Sequence, residues 1–451
     1  MMPFTCPASY ATQTLSMRHL SSVCLDPCGN LRPSDVHTDC GRRSVLRIAI
    51  SLFAVLAQLS ALDIATGQDT ANDPAWQPWT SSSVKLVSLR PLVRDGWYNS
   101  SPSMTTWGHA IDRHANPGKG WISFPTPYYW IAYRRGTGHS AASRGSLPRV
   151  SGGNSCVMVM RSHDLRRWRQ VKLFEPPEGV VNGSWIGTSH LCGDDERLYL
   201  FLRVHTPREE GVRNRLYLTS TQDGVHWSEP KLATDPDGPF WTWRVRRHNR
   251  KFYAAFPHPS DGDSSFDLMV SDDGLQWTRH ARIAPRRPDG VKSFTGESDL
   301  HWRPDGELWC VERTSNGTFM FWAKQPYTQW QGGVTIGYCD APAMCASGPD
   351  VYLAGRGPVK TTPKPNEIGG KKGTTVVYRL TRGSTELVAS FPAGGDASYP
   401  GLVSPKPGKL VLSFYSDVAY QTGEIKPKYH GQYGYKLTTN DIYLAEITVD
   451  E

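Results

Sequence analysis

The chain has 451 residues, of which about a fifth are charged, and its formal net charge is +8. This length suits one large domain or two to three ordinary ones, and the dispersed basic residues without a binding motif argue against a nucleic-acid-binding protein. Gly (42), Pro (34) and Trp (16) are frequent, which favours many short strands joined by turns and predicts an all-β body.

The N-terminal region reads as an export signal. Three arginines in "GRRSVLR" (41–47) precede the uncharged run "IAISLFAVLAQLSAL" (48–62), and small residues follow. We therefore predict a leader over 1–67, with residues 1–41 reflecting a misassigned start codon, and a single domain over 68–451. The arginine pair resembles a twin-arginine signal, although ordinary secretion uses a similar pattern. A periplasmic or secreted protein without a membrane span in the mature chain is expected.

Five cysteines remain after the leader, and an odd number leaves at least one thiol free or paired outside the chain. One disulfide, between Cys339 and Cys345, is compatible with the sequence, which does not decide whether it forms. No CxxC pair stands near histidines, so no metal and no cofactor are predicted.

A short hook recurs along the chain, with Asp four residues before Trp each time. The copies are "SHDLRRW" (162–168), "STQDGVHW" (220–227) and "SDDGLQW" (271–277). Their spacing of 50–59 residues is the length of one four-stranded propeller blade. Each Asp is predicted to accept N–H bonds in a turn between two outer strands, and each Trp to pack between sheets. Because one function does not need three copies, we interpret the hook as structural.

Six alternating segments recur with the same period and are predicted to be inner strands. They are "YYWIAYRR" (128–135), "RLYLFLRV" (197–204), "KFYAAFPH" (251–258), "ELWCVERT" (307–314), "DVYLAGRG" (350–357) and "KLVLSFYS" (409–416). Their ends should meet at a central axis, which makes these polar residues site candidates by position: Arg134, Arg135, Arg203, His258, Arg313, Arg356 and Tyr415. A six-bladed β-propeller is predicted, with five blades as the alternative, and "KLVSLR" (85–90) should close the ring by joining the last blade.

Two further stretches carry a resemblance to the sialidase superfamily of six-bladed propellers, over residues 120–449. "GESDLHWRPDGELWCVER" (296–313) resembles the family segment that carries a Glu and, sixteen residues later, an Arg, and "GGDASYPGLV" (394–403) resembles the segment of its nucleophilic tyrosine. The hooks resemble the family's Asp-boxes, shortened by one residue. The resemblance implies Tyr399 as nucleophile and Glu297 as its base. It also implies that Arg313, Arg356 and either Arg134 or Arg135 bind the substrate.

The chemistry of an acidic sugar explains why a site would combine arginines with a tyrosine and a glutamate. Sialic acids carry a carboxylate on the anomeric carbon, and guanidiniums can bind it in bidentate geometry. A carboxylate nucleophile would be repelled by this anion, whereas a phenol is neutral and needs a neighbouring base because its pKa lies near ~10.

Several features depart from the family or extend it. No Asp or Glu occurs in 136–163, where the family places its acid, so His139 is the predicted proton donor, with Arg144 and Asp112 as other polar candidates. The Arg-Ile-Pro signature is also missing. "FWTWRVRR" (240–247) suggests that Trp243 and Arg244 form an aromatic and cationic platform for a sugar.

Three functions stay open at this stage. The first is an exo-acting, retaining glycosidase that releases sialic acid or a related acidic sugar. The second is a propeller that binds acidic glycans without catalysis. The third is a uronate polysaccharide lyase that uses His109 or His139. An acidic glycan is the expected partner in each case, and the oligomeric state is left open.

Overall fold

The computed structural model shows sheets of antiparallel strands arranged as a six-bladed β-propeller, which confirms the predicted fold class and blade number. It describes residues 78–112, 122–136, 155–177, 185–208, 211–235, 238–258, 265–284, 294–357, 374–391, 393, 396–421 and 439–450. All of them belong to the unit formed by residues 64–451, and the predicted leader lies outside them. No helix among these residues is long and apolar enough to span a membrane.

The chain first forms two strands that complete later blades, and then blades 1 to 3. The first two strands are β1 (Trp79–Thr80) and β2 (Val84–Val93). Blade 1 consists of β3 (Tyr98–Asp112), β4 (Ile122–Gly136), β5 (Ser155–Ser162) and β6 (Arg169–Phe174). Blade 2 consists of β7 (Trp185–Gly193), β8 (Leu198–Arg208), β9 (Gly211–Thr221) and β10 (Lys231–Leu232). The short pair β11 (Thr234–Asp235) and β12 (Gly238–Pro239) leads to blade 3, formed by β13 (Arg246–His248), β14 (Lys251–His258), β15 (Ser265–Ser271) and β16 (Thr278–Ala284).

Blades 4 to 6 complete the ring. Blade 4 consists of β17 (Phe294–Trp302), β18 (Leu308–Thr314), β19 (Gly317–Ala323) and β20 (Gln331–Thr335). Blade 5 consists of β21 (Asp340–Ser347), β22 (Asp350–Arg356), β23 (Thr375–Thr381) and β24 (Ser384–Phe391), with β1 on its outer edge. Blade 6 consists of β25 (Ala397–Lys406), β26 (Lys409–Ser416) and β27 (Asp441–Val449), with the helix α1 (Val418–Gln421) after β26.

Strand β2 closes the ring, as the sequence predicts. It pairs antiparallel with β27, for example Leu89 with Ala445, and becomes the outer strand of blade 6. The last blade therefore combines the first long strand of the described chain with its last strand.

The predicted inner strands are displaced by one position. Strands β4, β8, β14, β18, β22 and β26 are each second in their sheet. The first strands contact one another from blade to blade, as β3 contacts β7 and β25, so they lie at the axis. The second strands are apolar on both faces because they are covered by neighbouring blades, and this gives them the stronger sequence signal.

The three hooks form the predicted turns between the third and fourth strands. In the first, Asp164 Oδ1 accepts the backbone N–H groups of Arg166 and Arg167, each at 2.8 Å, and the indole of Trp168 donates to Leu165 O at 2.9 Å. The Asp223 and Asp273 carboxylates accept the equivalent pairs at the same distances. The structural interpretation of the hook is thus confirmed.

Buried apolar residues form six clusters, one at each interface between adjacent blades. Trp277 is buried in the cluster between blades 2 and 3, and Trp168 and Trp227 pack against the clusters on either side of blade 1. The five cysteines in the described chain are free thiols, so the Cys339–Cys345 disulfide left open by the sequence is not present.

Candidate functional site

A cavity of about 210 Å³ opens where the first strands of blades 1, 2, 4 and 6 begin. Residues from five blades line it: Ser100, Ser101, Arg134, Gly187, Thr188, Arg203, His205, Trp243, Glu297 and Tyr399. This volume lies below the usual range of ~300–1,000 Å³ for pockets that hold drug-sized ligands. Its size therefore favours one sugar unit over an extended glycan segment.

Backbone bulges bring the side chains into this cavity. In blades 1, 2, 4, 5 and 6 the pairing of the first two strands shifts at the cavity end of the first strand. Residues in these bulges adopt positive φ, including 51° at Ser101, 75° at Gly296 and 47° at Tyr399. Because a bulge places extra residues opposite one partner, it redirects a side chain without disturbing the outer strands.

Glu297 lies in the bulge of blade 4, next to Arg313. Its Oε2 atom accepts a 2.8 Å ion-pair contact from Arg313 Nη1 and a 3.0 Å hydrogen bond from the backbone N–H of Ala341. Within the described chain, no group hydrogen-bonds to Oε1. One carboxylate oxygen is therefore anchored and the other is available to a ligand or a proton.

The buried carboxyl of Glu312 holds the bulge that presents Glu297. Its Oε1 atom accepts the backbone N–H groups of Thr295 and Gly296, both at 2.8 Å. These are N–H groups that the shifted pairing leaves without a strand partner. Burial raises the pKa of Glu312 well above its usual range, against the opposing effect of these two N–H groups. The hydrogen bonds of this carboxyl support the backbone of the bulge.

Tyr399 lies in the bulge of blade 6 and lines the same cavity as Glu297. The ring of Trp243 packs edge-on against it at 5.0 Å, and the guanidinium of Arg356 lies 4.8 Å from its centre. Burial, followed by the charge of Glu297, raises the pKa of the Tyr399 phenol. The phenol is thus protonated at neutral pH and needs a base before it can act as a nucleophile.

Two of the arginines implied by the resemblance bind protein acids. Arg313 bridges Glu297 and Asp340, the latter at 2.7 Å. Arg356 donates to Ala397 O at 2.9 Å and to the Tyr415 hydroxyl at 3.2 Å, and its Nη2 lies 3.5 Å from Asp396. Neither arginine lines the cavity.

The structure separates the adjacent pair Arg134 and Arg135, as strand alternation requires. Arg134 is 2% exposed and lines the cavity, with its guanidinium 5.4 Å from the Tyr98 ring. Arg135 points to the other face and binds Asp95. Arg134 is therefore the one that can reach a ligand.

Trp243 and Arg244, predicted to form one platform, also lie in different surroundings. Trp243 lines the cavity, whereas Arg244 is buried and donates to Pro342 O at 2.6 Å and Pro400 O at 2.5 Å. Both carbonyls belong to bulges, in blades 5 and 6. Arg244 therefore connects blade 3 to the bulges and does not line the cavity.

Other sequence candidates lie away from the cavity or outside the described residues. His139 and Arg144 fall in 137–154, which the structure does not describe. Positions 109 and 112 lie on β3, eight and eleven residues beyond Ser101, or roughly 25–35 Å at ~3.3 Å per residue. The backbone thus places His109 and Asp112 toward the opposite end of blade 1. At that distance His109 cannot act as the base or acid of a lyase in this cavity.

His205 is a cavity residue that the sequence signals only weakly. It stands two residues after Arg203 in β8, so both side chains share one face of the strand. Burial lowers the pKa of His205 to about 3, and the charges of Arg203 and Arg134 act in the same direction. A side chain at Gly187 would overlap the His205 imidazole, which explains the glycine.

No protein-family model matches the sequence, and no curated protein is similar to it in sequence. Solved structures with a similar fold include an endosialidase of phage phi92, with a TM-score of 0.52 and 11% identity, covering 81% of this chain and 69% of that chain. A Trypanosoma rangeli sialidase in complex with sialic acid has a TM-score of 0.48 and 10% identity, covering 82% of this chain and 57% of that chain, less than two thirds of its length. A Bombyx mori GH32 β-fructofuranosidase has a TM-score of 0.42 and 12% identity, covering 88% of this chain and 96% of that chain. At 11% identity, the likeness to the endosialidase shows the fold alone.

Proposed function

We propose that this protein is a retaining exo-glycosidase that releases a terminal acidic sugar, sialic acid or a relative, from glycans. Tyr399 is the nucleophile and Glu297 is its base. The observation that supports this most is the convergence of Tyr399, Glu297 and Arg134 on one cavity from three separate blades. The leader predicted over 1–67 suits the same role, in which we propose that the protein is exported to meet its glycan.

The reaction takes two steps in this proposal. The Tyr399 oxygen attacks the anomeric carbon while Glu297 accepts the phenolic proton, and the leaving alcohol departs with a proton from a separate donor, for which we propose His139. Water then attacks the anomeric carbon, His139 takes up the proton that the water loses, the Tyr399 oxygen departs and recovers its proton from Glu297, and the sugar leaves with its original configuration. The Arg356 guanidinium beside the ring favours the developing phenolate.

Replacing Tyr399 with Phe tests this role. We expect hydrolysis of a fluorogenic sialoside by the purified chain to fall by about 10³-fold or more, while binding of free N-acetylneuraminate persists, because the phenol is needed only for bond formation. The matched control is Tyr253→Phe, which alters a tyrosine packed between blades 3 and 4. Unchanged turnover in Tyr399→Phe, or an unsaturated product that absorbs in the ultraviolet, would reject the mechanism.

A second candidate is an acidic-glycan-binding protein without turnover. It is favoured by the ion pairs that already occupy Arg313 and Arg356, since arginines held by protein acids contribute less to a charged transition state. Binding of acidic sugars with no release from any sialoside or uronate polysaccharide would support this candidate.

A further inference from the structure

Arg203 differs from the other arginines around the cavity. It extends from β8 of blade 2, and its guanidinium stacks 4.2 Å from the Trp241 ring and 5.9 Å from the Trp243 ring. Its Nε atom is buried without a hydrogen-bond partner, and no acid among the described residues forms an ion pair with it. Aromatic faces satisfy the charge only in part and accept none of its in-plane N–H bonds.

The acid that shares the cavity with this cation is Glu297, which attracts it without forming an ion pair with it in the described structure. Burial lowers the pKa of Arg203 to about 10, which still keeps it protonated at neutral pH. His205 beside it is neutral, and the charge of Glu297 is shared with Arg313. A partly buried guanidinium without acceptors is unfavourable unless a ligand supplies them.

We propose that Arg203, together with Arg134, binds the carboxylate of the ligand, in place of Arg313 and Arg356. This deepens the proposed function and rests on it only in requiring that the cavity holds a sugar that carries a carboxylate. Trp241 behind the guanidinium fixes its plane, so its N–H edge is preorganised for a carboxylate. The anion then lies toward blades 1 and 2, away from the Glu297–Arg313–Asp340 chain.

The test compares Arg203→Met with Arg161→Met. Arg161 also stacks on aromatic rings, 4.8 Å from Tyr128 and 5.6 Å from Trp130, but it does not line the cavity. Calorimetric titration of the full chain with N-acetylneuraminate, glucuronate and glucose gives the three affinities for each variant. We expect the wild-type chain to prefer at least one acidic sugar over glucose, and Arg203→Met to weaken that binding by about 10- to 100-fold, as for a lost charged hydrogen bond.

Three outcomes would overturn the inference: no binding of either acidic sugar by the wild-type chain, equal losses in the two variants, or equal losses for glucose and the acids. Turnover is measured separately, so the two proposals can fail independently. Binding that depends on Arg203 without hydrolysis refutes only the proposed function. Hydrolysis with unchanged binding in Arg203→Met refutes only this inference.

Discussion

Tyr399 has a backbone conformation that a tyrosine rarely adopts. Its φ is 47°, that of Ser398 is 89°, and Arg244 holds the next carbonyl, Pro400 O. A non-glycine residue in this region costs roughly 1–2 kcal/mol. The surrounding blades maintain it, and the bulge turns this ring into the cavity while β25 keeps its pairing with β26.

Asp340 is expected to make ligand binding dependent on pH. Burial raises the pKa of this carboxyl to about 6, against the opposing effect of Arg313. Below pH 6 it becomes neutral, so Arg313 keeps one fewer negative neighbour and the site becomes more positive. We expect affinity for N-acetylneuraminate to rise about three- to tenfold as pH falls from 7.5 to 5, and to stay nearly constant in Asp340→Asn.

The control for this prediction is Asp350→Asn, at the opposite end of blade 5, which should keep the wild-type pH profile. His205 does not interfere because its pKa lies at about 3. An unaltered pH dependence in Asp340→Asn would contradict the prediction.

Some side-chain positions in the site can be predicted from the sequence, and others cannot. The alternation of strand residues predicts that only one of Arg134 and Arg135 faces the axis, and the motif spacing brings Glu297 and Tyr399 to one cavity. The sequence does not show that Arg313 and Arg356 are bound by Asp340 and Asp396. Asp340 begins β21 and Asp396 directly precedes β25. The positions of both acids depend on the bulges of blades 5 and 6, and no local sequence pattern predicts which arginine each acid contacts.

At the scale of elements, the hook is a turn whose stability depends on one carboxylate. Asp273 Oδ1 accepts two backbone N–H groups at 2.8 Å and the Ser271 hydroxyl at 3.0 Å. We expect Asp273→Ala to lower the free energy of unfolding by about 1–2 kcal/mol, because two turn N–H groups lose their partner. The midpoint of urea unfolding measures the change.

The neighbouring Asp272 provides the control for the hook. Its side chain is 83% exposed and forms a surface ion pair with Lys251, at 3.1 Å, so Asp272→Ala should change stability by less than about 0.5 kcal/mol. Equal effects of the two substitutions would show that the turn does not depend on the Asp273 carboxylate.

The first strands illustrate why elements are harder to predict than blades. Their cavity ends carry serine, glycine and proline, as in "YNSSPSM" (98–104) and "ASYPGLV" (397–403), which weakens the strand signal. The covered second strands contain longer apolar runs, such as "LYLFL" (198–202) in β8. The sequence therefore identifies the second strand of each blade. The first strands, which carry Glu297 and Tyr399, are located only by the sheet pairing.

The whole molecule is held by six apolar interfaces and by one closure strand. Leu89 of β2 is 5% exposed and packs in the cluster between blades 5 and 6. Leu89→Ala should lower the free energy of unfolding by about 2–4 kcal/mol. Val87 on the same strand is 53% exposed, so Val87→Ala should change it by less than about 0.5 kcal/mol, and denaturant unfolding compares the two. A similar small effect of both would mean that closure of the ring contributes little to stability.

The pairing of β2 with β27 has a consequence for biosynthesis. Residues 84–93 emerge from the ribosome early, yet the strand with which they pair in the described structure, residues 441–449, is translated about 350 codons later. Until β27 is translated, β2 has no strand of blade 6 to pair with, and its apolar side chains are not covered by the sheet. The propeller ring therefore stays open until the end of translation, and its closure joins two segments that lie far apart in the sequence.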